Sequence, residues 1–141
     1  MATSLKHRPI YRNIHLFADL PSYRLPPSGW VSILHRISGA MLFLLMPFVI
    51  WLFDVSATSE ISYERFTAAY LSGAGWFAGW FVKLVVLGLI WAYLFHFIAG
   101  VRHLWMDVTH SVTKQFGRTS AIVTLVLSTV LTVALGAKLF L

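Results

Sequence analysis

The sequence predicts an all-α integral membrane protein, a bundle of three transmembrane helices in one domain. Three observations carry that prediction. The 141 residues are 58% hydrophobic and only 11% charged, with a mean hydropathy of +0.76, well outside the range of a soluble domain. Three apolar stretches, at about 30–53, 77–104 and 120–141, are each long enough to cross a ~30 Å hydrocarbon layer at ~1.5 Å per helical residue. The ionisable residues beside those stretches gather on single helical faces instead of scattering around them.

Residues 1–28 form a polar, proline-punctuated leader with Lys6, Arg8, Arg12 and Arg24 against the single acid Asp19. It holds no apolar core of signal-peptide length, so no cleavable secretory signal is expected. Ile14, Phe17, Ala18 and Leu20 suit either a short interfacial helix ended by Pro21 or an arm ordered by a partner. The membrane domain follows over 29–141. Its first span contains one breaker, Pro47, as a kink. The entry to that span reads Ser32-Ile-Leu-His35-Arg36-Ile-Ser-Gly39. At ~100° per residue, Ser32, His35, Arg36, Gly39 and Phe43 share a face roughly 100° wide.

Residues 54–75 read as an outer loop carrying Asp54, Glu60 and Glu64 opposed only by Arg65. The second span has Lys83 near its start, able to snorkel outward. A short polar loop at 106–119 brings Lys114 and Arg118, and the third span has no ionisable residue before Lys138. Basic residues concentrate in the leader and in the 106–119 loop. The positive-inside rule therefore puts the N-terminus in the cytoplasm and the C-terminus outside.

The second span closes on Tyr93-Leu-Phe-His96-Phe-Ile-Ala-Gly100-Val-Arg102-His103-Leu-Trp-Met-Asp107. His96, Gly100, His103 and Asp107 fall within roughly 60° of one another on the helix. His96 has no charged neighbour in its own turn, and an ionisable residue inside a membrane costs at least ~2.5 kcal/mol unless paired, ligated or wet. It therefore needs a partner. Three readings fit: a haem axial ligand, a member of a proton or ion path, or a structural histidine bonded to a neighbouring helix.

Composition narrows the chemistry. Cysteine is absent, which excludes structural disulfides, Cys-ligated iron–sulfur clusters or zinc, and covalent c-type haem attachment. Any cofactor must be held by histidine or carboxylate. The net charge of +6 flanks apolar spans instead of forming a basic run, so it indicates a membrane flank and lipid contact, with no nucleic-acid partner. Gly100 removes bulk from the His96 face, as a flat macrocycle requires, and Tyr93, Phe95 and Phe97 lie nearby. His35, Arg36, His103 and Arg102 sit nearer the surface, where propionates want cations. Gly39 and Gly100 equally suit ordinary close helix packing, and Arg36 and Arg102 suit lipid phosphates. Trp105 suits an interfacial belt. Asp107 either balances charge or admits protons. A six-coordinate haem needs two ligands, and only His96 lies deep enough. The second must come from a partner helix.

On these two motifs, in this order on spans one and two of three, the chain resembles the cytochrome b membrane-anchor subunit of succinate dehydrogenase, respiratory complex II. The resemblance runs from about residue 29 onward. The early Arg8-Pro9 with its following tyrosine also fits, and Ser38 stands where threonine is common in the family. The resemblance implies that His96 is an axial ligand to one b-type haem shared with a second anchor subunit, which supplies the other ligand. It further implies His35, Arg36 and His103 on the propionate side, Ser32 and Arg36 lining a ubiquinone site, and Asp107 delivering protons. The implied partners are that second anchor, an iron–sulfur subunit and a flavoprotein subunit; the implied location is a bacterial cytoplasmic or mitochondrial inner membrane. The isolated chain then holds no complete active site. Rival readings are the anchor of a fumarate reductase, a haem-free structural anchor, and a small transporter. The last wants ionisable residues spread through the bilayer, and the outer half of span one and nearly all of span three lack them.

Overall fold

In the computed structural model, residues 15–19, 22–74 and 77–140 are described. Helix α1 is a single turn, Leu16–Asp19, closed by the His15 N–H donating to Asp19 Oδ2 at 2.9 Å. Ile14, Leu20 and Pro21, invoked for a longer interfacial helix, lie outside the described residues, as does the rest of the leader before His15.

The first long helix, α2 (Pro27–Leu44), opens where Pro26 is extended and Pro27 takes the first turn, a position that needs no N–H and suits the fixed φ of proline. It stops at Leu45, whose φ of −91° and ψ of 0° leave the helix, and α3 (Met46–Ala57) restarts with Pro47 in its first turn. Pro47 has no N–H to donate to the Phe43 carbonyl, and its ring crowds that oxygen, so the axis turns. The bend is 52°. The first span expected at 30–53, with Pro47 as its kink, is thus a helix broken just before that proline.

The outer segment 54–75, expected as a loop, is largely helical: α4 spans Glu60–Leu71. Its start is a reciprocal cap, with the Ser59 N–H donating to Ser62 Oγ at 2.9 Å and the Ser62 N–H to Ser59 Oγ at 3.2 Å, which satisfies two orphan donors at once. Glu60 in the first turn suits the positive end of the helix. A two-residue antiparallel pairing of β1 (Gly73–Ala74) with β2 (Phe77–Ala78) turns the chain into the next span. Gly79 allows that approach, since a Cβ there would meet the Leu71 carbonyl oxygen at 2.6 Å. Lys83 Nζ sits 5.6 Å over the Tyr70 ring, and burial raises the Tyr70 phenol above its ordinary pKa.

Helix α5 (Gly79–Thr109) has 31 residues, about 46 Å of helix. It outruns the hydrocarbon layer, so the apolar stretch 77–104 marks only part of its length. It ends at His110, left-handed at φ 52°. Helix α6 (Lys114–Phe140) begins at once, capped by Thr113 Oγ1 accepting from the Phe116 N–H at 3.2 Å. The polar loop expected at 106–119 therefore shrinks to 110–113.

Helix α5 packs against both α2 and α6. Val31, Phe95, Ala99 and Ala121 form the core, backed by Leu34, Trp91 and Leu125. The buried face of α6 consists of small residues: Ala121, Thr124, Ser128, Thr132 and Gly136. Their hydroxyls bond back to carbonyls of their own helix, Thr124 to Ser120 at 2.9 Å and Thr132 to Ser128 at 2.7 Å, so they pack closely without an unsatisfied donor. Only 17% of the most apolar window of α5 and 28% of that of α6 is buried within the chain. The remaining apolar faces require lipid or other subunits. Two helices are long and apolar enough to cross a membrane, and the bent α2–α3 pair makes a third span, an all-α membrane bundle.

Candidate functional site

Helices α2 and α5 carry the same short pattern, a histidine followed four residues later by glycine: His35 with Gly39, and His96 with Gly100. Residues four apart lie on one face. The pairing runs in opposite directions, so each histidine meets the other helix's glycine. A Cβ on Gly39 would sit 2.8 Å from His96 Cε1, and one on Gly100 would sit 3.9 Å from His35 Nε2. The two rings stack, with centroids 4.2 Å apart and planes at 21°. His103, two turns further along α5 than His96, has its ring centroid 5.2 Å from that of His35. Three of the residues singled out from sequence thus form one continuous column.

His96 is held from one side. Its Nδ1 lies 3.1 Å from the His35 carbonyl oxygen and 3.3 Å from Ser38 Oγ. The fully buried Ser38 donates its own hydroxyl to that carbonyl at 2.9 Å. A proton on Nδ1 is therefore satisfied by α2, and the lone pair then belongs to Nε2, which has no hydrogen-bond partner among the described residues. His35 Nε2 is buried and likewise has no partner there. A buried nitrogen left unpaired is costly, and marks a place where a further group belongs.

The remaining expected site residues are less engaged. Ser32 is half-buried, while Arg36 and Asp107 are exposed. None of the three has a hydrogen bond or ion pair among the described residues. A Cβ at Gly100 would have only His35 Nε2 near it, at 3.9 Å, whereas the close approach of the His96 ring to α2 is made at Gly39. Arg102 crosses to α6, donating from Nε to Ser120 Oγ at 2.9 Å and from Nη2 to the Gly117 carbonyl at 3.2 Å. Sequence reasoning missed Ser38, whose signal was its place one residue before Gly39. A cavity of about 240 Å³ between α3 and α4, lined by Trp51, Val55, Arg65 and Phe66 among others, lies towards the other end of the bundle and contains no histidine.

The donor set fits the haem that the family resemblance implies. An imidazole ligand commonly donates its second N–H to a carbonyl, which fixes the tautomer and raises ligand basicity, and His96 has that arrangement with His35. The Nε2 lone pair lies in the ring plane, so His35 stacked on the ring face leaves it open. His35 Nε2, buried and without a partner among the described residues, lies in the same column of rings. No cluster of three or more His, Asp or Glu side chains capable of holding a bare metal ion occurs among the described residues.

Residues 4–135 match the family described as succinate dehydrogenase/fumarate reductase transmembrane subunit. The chain is 37% identical to the succinate dehydrogenase cytochrome b556 subunit of Coxiella burnetii, over 84% of its own length and 90% of the relative's. It is 30% identical to the subunit of the same name from Paracoccus denitrificans, over 67% of this chain and 68% of that one. For the corresponding Rickettsia felis subunit the identity is 26%, over 70% and 71%.

Proposed function

The chain belongs to the succinate dehydrogenase/fumarate reductase transmembrane-subunit family, and from that premise we propose that it binds haem b with a second anchor subunit and forms part of a ubiquinone site. His96 Nε2 is the axial ligand from this chain. A haem bound there supplies a one-electron relay near the quinone. His35 and His103, in column with His96, offer ring N–H groups to the propionates, and Arg36 offers its guanidinium. The single observation supporting this most strongly is the bond from His96 Nδ1 to the His35 carbonyl, because it leaves the metal-binding nitrogen unengaged.

A quinone that accepts two electrons also takes up two protons, so its head group belongs near water and among donors that stabilise charge developing on its oxygens. Ser32 donates its hydroxyl to one quinone carbonyl, and exposed Arg36 stabilises that charge electrostatically. Asp107, exposed at the end of α5, passes protons inward from the cytoplasmic side. The N-terminus is cytoplasmic, and the flavoprotein and iron–sulfur subunits dock on that face. Succinate is oxidised in those subunits of a complex in a bacterial cytoplasmic membrane. The names of the relatives support this direction over fumarate reduction.

In this reading His96→Leu in the assembled complex abolishes or severely disturbs the reduced-haem absorbance. An unchanged spectrum and haem content would remove His96 as ligand. The contact of His96 with α2 also favours a second reading, a haem-free anchor in which that hydrogen bond is the histidine's whole purpose. A pyridine haemochrome assay on the purified complex separates the two.

A further inference from the structure

The two His-x-x-x-Gly patterns are alike in sequence but not in clearance. At Gly100 a methyl group would stand 3.9 Å from His35 Nε2, which is ordinary contact. At Gly39 it would stand 2.8 Å from His96 Cε1 and 3.3 Å from Nδ1, and the His96 ring cannot yield without leaving the acceptors that hold it. Ser38, beside Gly39, contributes the second acceptor at Nδ1 and is fully buried, so water does not replace it. We infer that Gly39 and Ser38 of α2 are positioning residues for the His96 imidazole: Gly39 sets how closely the ring approaches α2, and Ser38 with the His35 carbonyl sets its tautomer and basicity.

This rests on the reading of His96 as a haem ligand. The consequence is electronic as well as geometric. A strong Nδ1–H bond pushes electron density onto Nε2 and favours the ferric state, so loosening it raises the midpoint potential. Gly39→Ala displaces the ring from the His35 carbonyl, and loss of such an outer support typically weakens metal binding by about 10–100-fold. Ser38→Ala removes one acceptor and leaves the ring in place.

The test uses the complete complex purified from membranes, with haem counted per flavin and the midpoint potential measured by redox titration. Gly88→Ala serves as control, because nothing lies within 4 Å of a Cβ there. Expected is a lowered haem content with a raised potential for Gly39→Ala, a raised potential at full haem content for Ser38→Ala, and neither for Gly88→Ala. If Gly39→Ala prevents assembly, Ser38→Ala alone decides. Unchanged potentials in Ser38→Ala and in any assembled Gly39→Ala, while His96→Leu loses haem, overturn the inference and leave the ligand assignment standing. A Gly100→Ala effect larger than that of Gly39→Ala also overturns it. Haem retained in His96→Leu removes the ligand assignment itself.

Discussion

Arg102 ties the first turns of α6 to α5, and cutting that tie should open the α5–α6 turn. The guanidinium makes two bonds, to Ser120 Oγ at 2.9 Å and to the Gly117 carbonyl at 3.2 Å. Interhelical hydrogen bonds in membrane proteins average about 0.6 kcal/mol and reach about 1.7, so Arg102→Met, which keeps the apolar stem, should cost about 1–3 kcal/mol. That corresponds to about a 5- to 150-fold larger open population. Lys114 and Arg118 lie in the first turns of α6 and are trypsin sites, and cleavage tracks the open population when opening is fast. Trypsin digestion of the detergent-solubilised protein should therefore cut there faster by that factor. Ser120→Ala should give a smaller increase. In the double variant the effects should fall short of additive by about 0.5–1.5 kcal/mol, since both remove one shared bond. Cleavage at the unsubstituted rate, or effects additive within about 0.3 kcal/mol, would refute the clamp.

Gly136→Ala should destabilise the α5–α6 pair by about 1–3 kcal/mol, because its Cβ would meet Leu87 Cδ1 at 2.5 Å. Leu87→Ala should restore part of that loss, measured as thermal dissociation of the complex; no rescue would show that the contact is not limiting. Ser32→Ala or Arg36→Leu should slow quinone reduction by the complex while succinate oxidation with a soluble acceptor persists. Equal loss of both activities with intact assembly would defeat the quinone assignment. His35→Phe, which keeps a stacked ring but removes the orphaned Nε2, should weaken haem retention on gel filtration without unfolding the bundle, and full retention would remove His35 from the propionate side.

What the sequence reveals here follows from helical periodicity. The ~100° step alone places His96 and His103 on one face and His35 with Gly39 on another, and the fold does bring the three rings together, His35 stacked on His96 and tilted against His103. Pro47 is visible as a breaker, but the size of the bend, 52°, is not. Relations between helices are what periodicity cannot supply. Gly100 shares a face with His96, yet the ring it accommodates belongs to His35, since only the register of α2 against α5 decides which side chain fills a gap. The partners of Arg102 on α6 are hidden for the same reason. Helix α4 escapes a reading by periodicity because Glu60–Leu71 has no clear apolar stripe. Its legible signal is Ser59 and Ser62, a capping pair with Glu60 between them. Helix ends lie five and six residues beyond the apolar boundaries at Thr109 and Lys114, because hydropathy registers the lipid-immersed part while helical hydrogen bonding continues past it.

The most direct measurement of the central claim is a visible difference spectrum of the purified complex before and after succinate is added. Reduction of a b-type haem in the unsubstituted complex, together with loss of that signal in His96→Leu while every polypeptide of the complex is retained, is the predicted result. A complex that oxidises succinate and reduces quinone but contains no haem, or one whose haem signal survives His96→Leu, would contradict it.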